Sequence, residues 1–224
     1  MSGQVWLSSD FHLGHKNIVL GCTKWKNTIA CRNFQTLEEH DNTIINSINK
    51  YVKKDDILYF LGDFAMGGKE NVWKYRKMIN CSTIHFVLGN HDLHVRKNSI
   101  SENPENRGQR AQDLFTSVQE RIFKKIGKIN YFMDHYASRT WASASKGTIM
   151  LHGHSHDNLP LYERLIQIAD DDMLFKTGDY FKQADVGLES ALRMTGEMRP
   201  FHIGEIRENM ENRVNLDIDH HQEE

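Results

Sequence analysis

In the stretch TIMLHGHSHDN, residues 148 to 158, an apolar run gives way to three imidazoles at alternate positions, His152, His154 and His156. Neutral imidazole is the commonest protein ligand for metal ions, and this chain holds 13 histidines. Four other places collect ligand-type residues: Asp10-Phe-His12, Gly62-Asp63, Gly89-Asn90-His91-Asp92 and Asp134-His135. Carboxylate, imidazole and amide oxygen make a mixed nitrogen and oxygen set, which suits Mn²⁺, Fe or Zn²⁺ and not Ca²⁺. No cysteine joins these clusters, so a thiolate zinc site is not indicated. More than four ligand-type residues imply two ions. Paired ions about 3.5–4 Å apart clamp the attacking and leaving oxygens of a phosphoryl group in line. A carboxylate shared between them offsets part of their repulsion, and Asp63 is the natural choice. Taken singly, Asp10, Asp63 and Asn90 read as turn residues; only their joint occurrence points to a site.

Each cluster directly follows a short apolar run of strand composition: 4 to 9, 57 to 61, 84 to 88, the KINYFMDHY run ending at His135, and GTIML. Strand-end loops at one sheet edge are where α/β proteins assemble their sites. Between the strands, Thr36-Leu-Glu-Glu39 has the form of a capping box, and Ile44, Ile45, Ile48 and Val52 continue at helical spacing, predicting a helix over 37–52. A second helix is expected over 69–80. Phe115, Val118, Ile122 and Ile126 predict an amphipathic helix closed by Gly127. RPFHIGEIRENM reads as one more strand and a terminal helix. The alternation gives an α/β domain over residues 1–214, with lid-like segments at 94–110 and 157–184 and an acidic tail at 215–224.

A length of 224 residues is room for one large domain, and a net charge of -2 argues against a strongly basic nucleic-acid module while leaving a local basic groove open. Cys22, Cys31 and Cys81 form no CxxC pair and read as reduced thiols of a cytoplasmic protein. No signal peptide and no apolar run of transmembrane length is seen, so a membrane partner is not expected.

The ordered motifs DFH, GDF, GNHD, the lone His135 and GHSH resemble the calcineurin-like metallophosphoesterase superfamily, whose pattern is D-x-H, G-D, G-N-H-[DE], H and G-H-x-H. The likeness runs from residue 5 to residue 156. It implies a four-layer α/β/β/α sandwich, two mixed β-sheets flanked by helices, with a dinuclear site at the strand ends. Carried over by motif, Asp10, His12 and His156 hold one ion, Asn90, His135 and His154 the other, and Asp63 bridges. Mn²⁺ is the favoured metal, with Fe, Zn²⁺ or Ni²⁺ as alternatives. The resemblance also implies a metal-bridging hydroxide as nucleophile, His91 as general acid or charge stabiliser, and Asp92 as the group orienting the His91 ring. His152 has no ligand role in the pattern.

SSDFHLGHKNI, HYASRTW and DVGL followed by RPF are similar to small bacterial and phage phosphoesterases of unassigned substrate, although Ala137 stands where those usually have Pro. Met66-Gly67-Gly68 stands where protein Ser/Thr phosphatases carry D-R-G, and the late His-Gly-His-Ser-His-Asp order does not fit the H-x-H-x-D-H of metallo-β-lactamases. The expectation is a phosphodiesterase on small nucleotide-type phosphate esters. His15 and Arg139, beside the proposed ligands, are weaker choices for touching phosphate. Alternatives are a phosphomonoesterase, a nuclease whose Arg96, Lys97, Arg107 and Arg110 track a nucleic-acid backbone, and a non-catalytic metal-binding scaffold, which has no need of His91 and Asp92. Oligomeric state carries no signal in the sequence.

Overall fold

Strand side chains alternate between two faces, and here both faces of the central sheet are apolar. The computed structural model describes residues 3–24, 31–159 and 181–216. Val5–Ser8 (β1), Ile57–Phe60 (β2), Thr83–Val87 (β3) and Ser117–Gln119 (β4) run parallel, and Phe201–His202 (β9) pairs antiparallel with β1, giving the order β4-β3-β2-β1-β9. A second sheet has the order β5-β6-β7-β8, from Arg121–Ile126, Ile129–Asp134, Ile149–His152 and Gln183–Asp185. In it β5 is antiparallel to β6, while β6, β7 and β8 are parallel.

Leu58, Phe60, Ile84 and Phe86 share one core with Ile44, Ile45 and Ile48 of Leu37–Tyr51 (α1) and Trp73 of Glu70–Met78 (α2). Leu7, Tyr59, Leu61 and Val87 belong to a second core with Tyr131, Met133, Ile149 and Leu151 of the other sheet. Leu188–Thr195 (α4) and Ile203–Met210 (α5) add Ala191, Ile203, Ile206 and Met210 to that second core. Phe132 and Met150, on the far face of the second sheet, pack with Trp141, Ala144 and Leu216. The fold is two mixed sheets flanked by helices, as expected. No helix of the described residues is long and apolar enough to cross a membrane.

At the helix start Thr36 Oγ1 accepts from the Glu39 amide at 3.1 Å, one half of the expected capping box, while the Glu39 carboxylate takes the Gln35 amide at 3.0 Å in place of that of Thr36. The segment 94–110 starts in the short helix Leu93–Arg96 (α3), holds a 3₁₀ turn at Pro104–Asn106 and is tied by an antiparallel bridge between Ile100 and Arg110. Most of the 157–184 segment, and the 217–224 part of the acidic tail, lie outside the described residues.

One expectation is corrected: residues 115–126 form no helix but contribute β4 and β5. Val118, Ile122 and Ile126 fit helical spacing, yet they are β-branched, and β-branched residues favour strands. Gly127, with φ +64°, does not end a helix; it occupies the first central position of the two-residue turn between Ile126 and Ile129, which pair across the hairpin. A helix C-terminus and a tight hairpin both ask for a left-handed glycine. Local sequence does not separate them.

Beneath the strand ends, Phe11, Phe60, Phe64 and Phe86 form a buried ring cluster in which Phe11 and Phe60 centroids are 4.3 Å apart. Because strand-end residues alternate, Phe11 points down between Asp10 and His12. Phe60→Ala is expected to destabilise the protein by about 3–5 kcal/mol, the usual range for removing a buried phenyl ring. Urea unfolding measures it, and a loss under about 1 kcal/mol would show that the ring cluster is not a tightly packed floor.

Candidate metal centre

The ends of β1, β2, β3, β6 and β7 converge because the backbone turns sharply there. Asp10, His12, Asp63, His154 and His156 all sit in the left-handed region, with φ between 47° and 64°. A non-glycine residue in this conformation costs on the order of 1 kcal/mol or more and persists only where its surroundings impose it. The loops are laced together by their main chains: Asp10 N donates to Gly62 O at 2.9 Å, His12 N to Asp63 O at 3.0 Å, and Gly153 N to His135 O at 3.0 Å. Two glycines allow the approach. A Cβ on Gly89 would lie 2.2 Å from Asp63 Oδ1, and one on Gly153 would lie 2.4 Å from Asp10 Oδ2.

Two groups of ligand-type atoms result, Asp10 with His12 and His156, and Asp63 with His135 and His154, the atoms of each group all within 4.8 Å of one another. In the first, Asp10 Oδ1 lies 3.7 Å from His12 Nε2 and 3.8 Å from His156 Nε2. Asp10 Oδ2 is taken up by the His154 amide at 3.0 Å, so the GHSH loop is hung on the same carboxylate. Asp63 joins the groups: its Oδ2 is 3.6 Å from His12 Nε2 and 3.6 Å from His135 Nε2. Its other oxygen accepts the His91 amide at 2.9 Å. Asn90 Oδ1 stands 2.9 Å from His135 Nε2.

The carboxylate–imidazole gaps of 3.6 to 3.8 Å are too long for hydrogen bonds, but two donors each about 2.0–2.2 Å from one cation lie up to about 4.4 Å apart. The donor chemistry agrees. His135 Nδ1 faces the Leu61 carbonyl at 2.7 Å, so that nitrogen carries a proton, and Nε2 lies 2.9 Å from Asn90 Oδ1 and 3.6 Å from Asp63 Oδ2. Asp10 Oδ1 and His12 Nε2 are buried with no hydrogen-bond partner among the described residues. Lone pairs facing lone pairs in a buried space call for a cation. Burial works to raise the Asp10 carboxyl, but the His12 contact and the surrounding imidazoles hold it well below the usual carboxylate range. Burial lowers His12 and His154, with Asp10 opposing, and so favours neutral rings, the form that binds metal. His156 differs: burial works against its charge, but Glu189 and Asp10 outweigh it and raise the ring to about 9.

Residues 3–176 match the family model described as calcineurin-like phosphoesterase. The chain belongs to the calcineurin-like phosphoesterase family. Among its relatives, the uncharacterized protein MJ1445 of Methanocaldococcus jannaschii is 34% identical over 101 residues, covering 44% of this chain and 52% of that one. The chain thus matches about half the length of that relative. The gene 66 protein of Mycobacterium phage L5 is 24% identical over 173 residues, covering 70% of this chain and 79% of its own. In fold, the chain is similar to the Aquifex aeolicus protein of unknown function AQ665, with a TM-score of 0.55, 16% identity and coverage of 92% and 98%.

Within this calcineurin-like frame, the other expected residues fall at different distances from the centre. The exposed His91 ring has its centroid 5.5 Å from that of His12, and His15 Nδ1 is 3.2 Å from His12 Nδ1. Burial, then His12 and His91, lower the His15 ring to about 4. Arg139 is exposed in the turn after β6. His152 is buried behind the loop, its Nδ1 on the Gly153 carbonyl at 3.1 Å.

The expectation for Asp92 is corrected. Its carboxylate does not hold the His91 ring; it accepts the amides of Asp63 and Gly89 at 2.8 Å and of Phe64 at 2.9 Å. The GNHD aspartate therefore ties the β3 loop to the β2 loop. Burial and the Asp63 charge push its carboxyl up to about 6, with the amides opposing.

Sequence reasoning missed Arg32, Glu189 and Asp185. Asp185 gathers Gly187 N, Asp157 N and Ser155 Oγ, which fixes the far side of the GHSH loop. The DVGL motif was its only signal, and Glu189 lies one residue beyond that motif; Arg32 had none. Asp92→Ala leaves three buried amides without an acceptor, each costing about 1–3 kcal/mol. A stability loss above about 3 kcal/mol is expected in urea unfolding; a variant as stable as wild type would remove the clamp from the account.

Proposed function

We propose that this chain is a dinuclear, metal-dependent phosphoesterase acting on nucleotide-type phosphodiesters. One observation carries the reading: a single carboxylate oxygen, Asp63 Oδ2, is equally near an imidazole nitrogen of each group, at 3.6 Å. On this reading Asp10, His12 and His156 hold one divalent cation, Asn90, His135 and His154 the other, and Asp63 is common to both, with Mn²⁺ the favoured metal. Such a pair supplies Lewis acidity, neutralising phosphoryl oxygens and lowering the pKa of water to about 7.

The chain's own residues supply the rest. His91 is tied by its backbone to the shared carboxylate, which leaves its exposed ring free to hand a proton to the leaving oxygen. His15, lowered to about 4, is neutral near pH 7 and offers a hydrogen bond without a charge. An uncharged His15 beside the cations adds no positive charge for a second phosphate anion, which favours a monoanionic diester over a dianionic monoester. Tyr136, 48% exposed, packs edgewise on His154 with centroids 4.6 Å apart, and offers an aromatic surface for a base.

Three outcomes are expected. Protein stripped with EDTA loses hydrolysis of bis(p-nitrophenyl) phosphate and regains it with Mn²⁺; turnover by metal-free protein would end the proposal. His91→Ala keeps both ions by elemental analysis and loses about 10²–10⁴-fold in turnover, the range for a general acid; loss of metal instead would move His91 into the ligand set. Asp63→Asn binds both ions poorly, and full dinuclear occupancy in that variant would count against a shared carboxylate.

A further inference from the structure

Of the four histidines in the two groups, three have ring nitrogens that face away from the centre toward neighbours of different kinds. His135 Nδ1 rests on a neutral backbone carbonyl, that of Leu61, at 2.7 Å, and His12 Nδ1 meets another imidazole, His15, at 3.2 Å. His156 Nδ1 lies 3.1 Å from a carboxylate oxygen, Glu189 Oε1, within ion-pair distance though out of line for a hydrogen bond. That same oxygen accepts from Arg32 Nε at 2.8 Å. Arg32 is 2% exposed, and its guanidinium also holds the Asp10 carbonyl at 2.6 Å, the Phe11 carbonyl at 2.9 Å and His40 Nε2 at 3.0 Å. The string continues into α1 and α2: His40 Nδ1 meets Asp41 at 2.8 Å, and Asp41 accepts from Tyr75 Oη at 2.6 Å and from the Gly14 amide at 3.1 Å.

A buried ion pair adds little net stability, so this one needs another reason to exist. Its geometry supplies one. The guanidinium grips the main chain at Asp10 and Phe11 and, through Glu189, the side chain of His156, which come from opposite ends of the site motifs. A carboxylate behind an imidazole fixes its tautomer, keeps Nε2 available and strengthens it as a donor.

We propose that Glu189, held in place by Arg32, is a positioning residue for one half of the centre. It sets His156 Nε2 toward Asp10, and so governs the affinity of the Asp10–His12–His156 group independently of the Asp63–His135–His154 group. This rests on the two-ion reading above. The ligand is a divalent cation, and the predicted asymmetry is that the carboxylate-backed half binds the tighter ion.

The test is a Mn²⁺ titration of the full chain by calorimetry, with electron paramagnetic resonance to distinguish coupled from isolated ions. Wild type is expected to take up two ions and give a coupled spectrum. Glu189→Ala should weaken one binding event by about 10–100-fold, the usual effect of losing such a partner, and leave an isolated-ion signal. Glu189→Gln, which retains an oxygen but no charge, should fall between. Because Glu189→Ala leaves a buried guanidinium unpaired, the double variant Arg32→Met with Glu189→Gln is included; it should fold and still lose one event selectively. Two unchanged events, or two weakened alike, would overturn the positioning role while leaving the dinuclear reading intact. A wild type that binds a single ion would sink the two-ion reading itself, and this role with it.

Discussion

Lone pairs converging where water is scarce are the constraint on which this molecule is organised. Asp10 is fully buried and Asp63 nearly so, and their inward oxygens face ring nitrogens across gaps of 3.6 to 3.8 Å that no proton bridges. Against burial, imidazoles hold the Asp10 carboxyl low, and Glu189 and Asp10 raise the His156 ring, so the cluster is tightly coupled electrostatically. It is held because the surroundings over-determine it. Left-handed backbone at five of the residues concerned is the visible sign of that imposed geometry.

Imposing it takes the whole sandwich. Parallel pairing of β1, β2 and β3 brings three strand ends to one edge of the first sheet, and parallel pairing of β6 and β7 does the same in the second. The shared core of Leu7, Tyr59, Leu61, Val87, Tyr131, Met133, Ile149 and Leu151 then sets the two edges face to face. Phenyl rings one position away from the acidic residues anchor each turn from below, so the same backbone step that points a carboxylate up drives a ring down. Gly89 and Gly153 are the places where one loop touches the carboxylate of another, and a methyl group would push them apart.

A second layer of polar groups holds the first without entering it. Asp92 gathers amides from two loops, Asp185 gathers the GHSH turn, and Arg32 with Glu189 spans from the β1 end to α4. The charges in this layer are placed on main-chain donors and acceptors more than on one another. That is the arrangement expected where ionic groups serve to fix position, since fixed dipoles satisfy a buried charge without requiring a mobile partner.

What the sequence alone determined was the strand-end motifs and the capped helices. Strand followed at once by ligand-type residue is a pattern a few residues long, and five such patterns in order were enough to read the β1, β2, β3, β6 and β7 ends, the residues gathered there and the class of fold. Helices with a cap and a continuous apolar stripe, such as α1, were equally legible. Residues 115–126 were not, because a left-handed glycine after spaced apolar residues suits a helix end and a hairpin alike, and only pairing with 129–134 decides between them. The task of Asp92, and the very presence of Arg32 and Glu189 at the site, were decided by tertiary structure alone. Arg32 and Glu189 are 157 positions apart, neither stands in a motif of its own, and what unites them is a buried space that exists only once the two sheets have closed.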